Sequence, residues 1–179
     1  MKLFKVMALA AVAFVSASVA NAQEIGDSHS RVYAGYNGFD VFGEGDNFMN
    51  GFLVGYEYDF NCSGRQTTPL FLTGGLEYTM NSREGISTHT LAVPVNLKYV
   101  FGNEKFAVAP YVGQSFRFGL SSQFYDLDST TRFQIMFNGG LNFEFGKWDI
   151  GYRFQVAELK MATGGNSDFN HSFMLGYKF

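Results

Sequence analysis

The sequence predicts an all-β protein: one eight-stranded antiparallel up-and-down barrel that crosses a membrane with its strands. Three observations predict it. Apolar and polar residues alternate with a period of two over runs such as 48–60 and 133–145, the signature of strands with two unlike faces. Those runs exceed the usual ~5–6 residues of soluble strands and match the ~9–11 residues that a spanning barrel strand needs. Composition agrees, with 18% aromatic and only 16% charged residues, against about 25% charged in ordinary globular domains.

The chain opens with "MKLFKVMALAAVAFVSASVANA": Lys2 and Lys5, an apolar run, then small residues at Ala20 and Ala22. This reads as a secretory signal peptide, residues 1–22, cut between Ala22 and Gln23. Its apolar stretch is shorter than the ~20 residues a spanning helix requires. Removing Lys2 and Lys5 takes the formal net charge from -3 to -5. That balance excludes a nucleic-acid partner, which calls for a basic face. The only cysteine is Cys62, so no intramolecular disulfide is available. Residues 23–179 are expected to form the single barrel domain.

Eight strands follow in order, at 31–39, 48–60, 70–80, 88–101, 106–120, 131–145, 148–159 and 170–179. In the second, Phe48, Phe52, Val54, Tyr56, Tyr58 and Phe60 share one face, with Asn50 the exception. In the sixth, Phe133, Ile135, Phe137, Leu141, Phe143 and Phe145 do so. In the last, Phe173, Leu175, Tyr177 and Phe179 alternate with Ser172, Met174, Gly176 and Lys178. Short links "GNEK" and "GK" alternate with longer polar ones, "DVFGEGDN", "NSREGIS", "SSQFYDLDST" and "KMATGGNSDF". Short periplasmic turns and longer extracellular loops are the pattern of outer-membrane barrels. The link "NCSGRQTTP" is the exception, long for a periplasmic turn. Across "GK", Phe145 should oppose Trp148; across "GNEK", Phe101 should oppose Phe106, which keeps each face consistent.

A soluble ligand-carrying barrel would turn the apolar face inward. Here that face is the bulkier one, and eight strands enclose an interior that ordinary side chains already fill. The other face carries glycines at 51, 55, 75, 113, 140, 151 and 176, which suit a narrow lumen. It also carries Glu57, Asp59, Glu77, Glu144 and Asp149 against Lys98, Arg117, Arg132, Arg153 and Lys178. Buried charges need partners, and this lumen network offers equal signs. On the lipid side each midplane Lys or Arg would cost about 2–4 kcal/mol. Aromatics gather at strand ends, as in interfacial belts. Tyr58, Phe60, Tyr99, Phe101, Phe106, Phe145, Trp148, Tyr177 and Phe179 mark one rim. Phe48, Tyr78, Phe116, Phe118, Phe133 and Phe173 mark the other.

With these features the chain resembles the small eight-stranded outer-membrane barrels of OmpA/OmpX type, the porin-like "outer membrane protein beta-barrel domain" group. The terminal "FMLGYKF" carries the resemblance most clearly. By that resemblance, Phe173, Leu175, Tyr177 and Phe179 form the signal read by the barrel assembly machinery, and the destination is the outer membrane of a Gram-negative cell, with outer-membrane lipids as partners.

Chemistry is sparse. Some barrels of this size are lipid A deacylases or acyltransferases, and a hydrolase needs a nucleophile and base within hydrogen-bond reach. His171 and Ser172 are adjacent on one strand and point to opposite faces. His89 is followed by Thr90 and lacks the His-x-Ser spacing of such deacylases. No His pair has metal-ligand spacing, and His29 is placed in the N-terminal tail. Asp40, Glu44 and Asp46 lack the calcium-loop pattern and read as a solvated acidic loop. A narrow solute pore is the remaining alternative, weighed against a filled interior. Lys178 is expected to pair with Asp149 and to relieve its repulsion with Glu144 across the "GK" hairpin. A structural or surface-interaction role remains, with the loops as contact surface; Phe124, Tyr125 and Leu127 either meet a surface partner or extend the strands above the membrane. No catalysis and no cofactor are expected.

Overall fold

The computed structural model describes residues 27–40, 48–63, 69–120, 133–157 and 169–179. They form nine strands: β1 (His29–Asp40), β2 (Phe48–Asn61), β3 (Leu70–Arg83), β4 (Ile86–Tyr99), β5 (Phe101–Asn103), β6 (Phe106–Gly119), β7 (Phe133–Phe145), β8 (Trp148–Ala157) and β9 (Phe169–Lys178). β5 continues β4, because Lys98 opposite Tyr111 and Phe101 opposite Val108 lie in one register against β6. The two together make one stave of a closed antiparallel barrel of eight. β1 pairs with both β2 and β9, and β4 closes the wall against β6. Lipid offers no partner to a free sheet edge, so closure is obligatory. At the seam, Ser30 and Phe179 exchange backbone hydrogen bonds at 3.2 and 2.9 Å.

Each of the eight predicted strands is present, and the period sets the faces as expected. On β7, Gln134, Met136, Asn138, Asn142 and Glu144 are buried, while Phe133, Phe137, Phe143 and Phe145 are exposed. Phe173 and Leu175 on β9 are 57% and 53% exposed, whereas Ser172 and Met174 between them are buried.

Glycines make room for two interior tyrosines. A Cβ at Gly55 would lie 2.3 Å from the Tyr33 ring, and one at Gly140 would lie 2.2 Å from the Tyr111 ring. The lumen therefore holds some bulk after all: Tyr33, Tyr111, Leu53, Phe71, Met136 and Met174 are buried in it.

Three expectations need correction. Phe145 does oppose Trp148, but Phe101 opposes Val108, and Phe106 opposes Asn103. The turn is Glu104–Lys105, stabilised by Asn103 Oδ1 accepting from the backbone N–H groups of Lys105 and Phe106 at 3.0 and 3.2 Å. A two-residue slip preserves the faces, which is why alternation alone did not show it. The link after the third strand is no loop: β3 and β4 run on to an Arg83–Ile86 pair around Glu84 and Gly85, both at positive φ (50° and 85°). That is the backbone of a type I′ hairpin turn. Phe179, placed with the exposed girdle, is only 5% exposed. Its peptide is tied into the β1–β9 seam, and the exposed belt is carried by Phe101, Phe106, Phe145 and Trp148 instead.

Candidate functional site

The lumen is stacked in three polar layers. Nearest the short turns, Asp59 receives Lys98 Nζ, with His29 Nε2 at 3.0 Å. Glu144 Oε2 accepts from Lys178 Nζ at 2.9 Å, while Lys98 stands 3.8 Å from its other oxygen. Arg31 reaches two strands at once. Its Nη1 donates to Glu57 Oε1 at 3.1 Å and its Nε to Asp149 Oδ2 at 2.8 Å, with a second bond from Nη2 to Asp149 Oδ1. Planar, two-pronged pairing of this kind suits guanidinium and carboxylate. In the middle, Arg153 Nη2 donates to both Glu77 oxygens at 2.7 and 2.8 Å, and Tyr33 O–H adds a bond to Glu77 at 2.9 Å.

Toward the longer connections the layer is built mainly of amides and hydroxyls around Arg117. Asn138 donates to Asn96 at 3.0 Å, Gln155 donates to Asn138 at 2.7 Å, and Asn170 donates to Gln155 at 2.7 Å. Arg117 joins through Gln155 at 3.2 Å. Ser172 donates to Asn37, which donates to Asn81. A cavity of about 10 Å³ remains among Tyr33, Glu57, Lys98, Tyr111, Arg153 and Met174, room for about one water.

Most of the expected lumen charges meet here, with changed partners. Asp149 belongs to Arg31, so Lys178 turns to Glu144 rather than to Asp149. Arg31 and His29 were missed. His29 is no tail residue but a buried member of β1, set edge-on to Phe71 at 5.5 Å. Arg31 to Asp149 spans 118 positions, a contact that only barrel closure creates. Arg132, Phe124, Tyr125 and Leu127, with Glu44 and Asp46, lie outside the described residues. Five acids still face five bases among those described, with Arg31 in the place given to Arg132. Replacing Lys178 by Met is expected to lower stability by about 1.5–3 kcal/mol, the range for a hydrogen bond to a charged group. Thermal unfolding followed by Trp148 fluorescence reads this, and an unchanged Tm would contradict the pairing.

The outer wall carries two matching polar pairs near the end with the longer connections. Tyr78 O–H and His89 Nδ1 lie 2.6 Å apart across β3 and β4. Tyr152 O–H and His171 Nδ1 lie 2.7 Å apart across β8 and β9. Ser172 points inward, as its spacing required. His89 does have a serine on its own face, two residues before it: Ser87 Oγ is 3.4 Å from His89 Nε2. Ser87 lies within the expected loop "NSREGIS", and the alternation that pairs it with His89 emerges only once that segment is seen as strand.

An outward-facing apolar band around a polar lumen defines an outer-membrane β-barrel protein. The chain matches the family "Outer membrane protein beta-barrel domain" over residues 7–179 and belongs to that family, which places it in the outer membrane. Its fold is similar to that of the outer membrane enzyme PagL: TM-score 0.61, 13% identity, covering 84% of this chain and 99% of that one. It is also similar to Ail, the attachment invasion locus protein of Yersinia pestis, at TM-score 0.47 and 18% identity, covering 88% and 100%. Ail in complex with the heparin analogue sucrose octasulfate gives TM-score 0.45 and 18% identity, covering 86% and 99%. No curated protein matches the chain in sequence.

Proposed function

We propose that this protein is a sealed, non-conducting barrel that acts as a surface-interaction protein of the outer membrane. The observation that carries the reading is the filled lumen. Arg31, Lys98, Arg153 and Lys178 are spent on its five described acids, and the cavity beside Tyr33 has room for about one water. Neither a diffusing solute nor a substrate has space there, which counts against the narrow pore and against chemistry inside the barrel. Function then falls to the outer rim and the loops, where a rigid wall holds variable segments. Residues 1–22 act as a cleaved leader. Phe173, Leu175, Tyr177 and Phe179 serve as the pattern read by the barrel assembly machinery, and Phe124, Tyr125 and Leu127 contact a surface partner.

Two measurements test this. In planar bilayers the refolded protein is expected to give no steady single-channel steps. Regular steps would restore the pore. Outer-membrane vesicles carrying the protein are expected to adhere to a host-cell layer, and a Gly/Ser replacement of 121–130 is expected to lower adhesion to the level of vesicles without the protein. Unchanged adhesion would remove this loop from the account.

A further inference from the structure

We propose that Ser87, His89 and Tyr78 form a hydrolytic site on the outer wall, directed at the carboxylic ester of an outer-leaflet lipid. This goes beyond the surface-interaction reading and does not rest on it. The hydrogen bonds run in series through both imidazole nitrogens: Ser87 Oγ to Nε2 at 3.4 Å, and Nδ1 to Tyr78 O–H at 2.6 Å. A nucleophile, a base and a group that orients the base is the arrangement covalent acyl transfer needs. Such contacts are commonly long without substrate.

Placement names the substrate. Ser87 and His89 share the face of β4 that carries exposed Val93, Val95 and Leu97, so the serine opens toward acyl chains and not toward the lumen. Thr88 and Thr90, between and beyond them, are buried inside. The pair lies beside the Glu84–Gly85 turn, at the level where acyl chains meet headgroups and water. The β3–β4 link is only two residues, while the other connections at this end span 41–47, 120–132 and 158–168. Ser82 stands opposite Ser87 on β3 and is exposed on the same face. Facing residues of an antiparallel pair lie about 4.5–5.5 Å apart at Cβ, which sets the Ser82 hydroxyl beside the attacked carbonyl as a donor to its oxygen.

The step balances without a cofactor. Ser87 Oγ bonds to the ester carbon as its proton passes to His89 Nε2. The carbon–alkoxide bond breaks, and His89 returns that proton to the departing alcohol. Water, deprotonated by His89, then attacks the acyl-serine; the acyl–Oγ bond breaks to free the fatty acid, and His89 returns the proton to Ser87 Oγ. Tyr78 is a positioning residue: it fixes the ring with Nε2 toward Ser87.

The barrel carries its own control. Tyr152 and His171 repeat the tyrosine–histidine geometry, but their neighbouring Ser172 is turned inward to Asn37.

The test uses the full chain in vesicles containing lipopolysaccharide, with folding checked by the heat-modifiable gel shift. An alkyl fluorophosphonate should label Ser87, located by peptide mass spectrometry, and vesicles should release fatty acid. Ser87→Ala should abolish both while leaving vesicle adhesion unchanged, which separates this site from the loop reading. His89→Asn should slow labelling and release about 10²–10⁴-fold, the usual share of a general base. Tyr78→Phe should lower kcat with KM unchanged. His171→Asn should change nothing. Absence of both label and fatty acid from the folded wild-type protein overturns the proposal, as does equal labelling of His89→Asn.

Discussion

Replacing Arg153 by Met will destabilise the barrel by about 3–5 kcal/mol, the cost of leaving a buried partner charge uncompensated. Arg153 Nη2 holds both oxygens of Glu77 in the middle of the lumen, and both side chains are buried. Tyr33 supplies Glu77 with one further donor, too little to replace a full positive charge. The cavity beside Arg153 has room for about one water, so solvent cannot enter in number. The double replacement Glu77→Leu with Arg153→Met removes both charges and should recover most of the loss, since an apolar pair of similar volume is often neutral or better. Urea titration of the folded barrel in lipid vesicles, followed by Trp148 fluorescence, measures both variants. Equal losses in the single and double variants would show that the pair does not govern the middle layer.

Replacing Leu175 by Arg will cost about 2–4 kcal/mol, the depth-dependent penalty for a cation on the lipid face near the bilayer midplane. Leu175 is 53% exposed, between Ala34 and Ile150 in the neighbouring strands. In water an exposed leucine tolerates such a change, because surface substitutions usually stay within about 0.5 kcal/mol. The sign of the environment is therefore in the size of the effect. The same urea titration in vesicles reads it, and a loss below about 0.5 kcal/mol would place Leu175 in water.

The architecture was legible because each stave must separate a lipid face from a lumen face, and a period of two records that demand residue by residue. Phe133 to Phe145 illustrates it, and the structure keeps that whole segment as one strand. Register was less legible. Sliding a strand by two residues leaves every face unchanged, which is how Phe101 came to be set against Phe106 rather than Val108. The β3–β4 turn was hidden because Glu84 occupies a positive-φ position where Asn, Asp or Gly is the usual cue. That error carried Ser87 into a loop and concealed its relation to His89. The lumen was legible as a balance of charges but not as a set of partners. Arg31 meets Asp149 only because β1 closes against β9, which brings β8 alongside, and no local spacing records that closure.

Collision accessibility of nitroxide labels along β9 shows which face of the wall meets lipid. Single cysteines placed at 170–177 in a Cys62→Ser background would be labelled in the vesicle-inserted barrel. Alternation is expected: labels at Phe173 and Leu175 relax strongly with oxygen and weakly with a water-soluble nickel chelate, while those at Ser172 and Met174 are shielded from both. Strong nickel collisions at Phe173 and Leu175 would put the apolar face in water and contradict an inside-polar, outside-apolar membrane barrel.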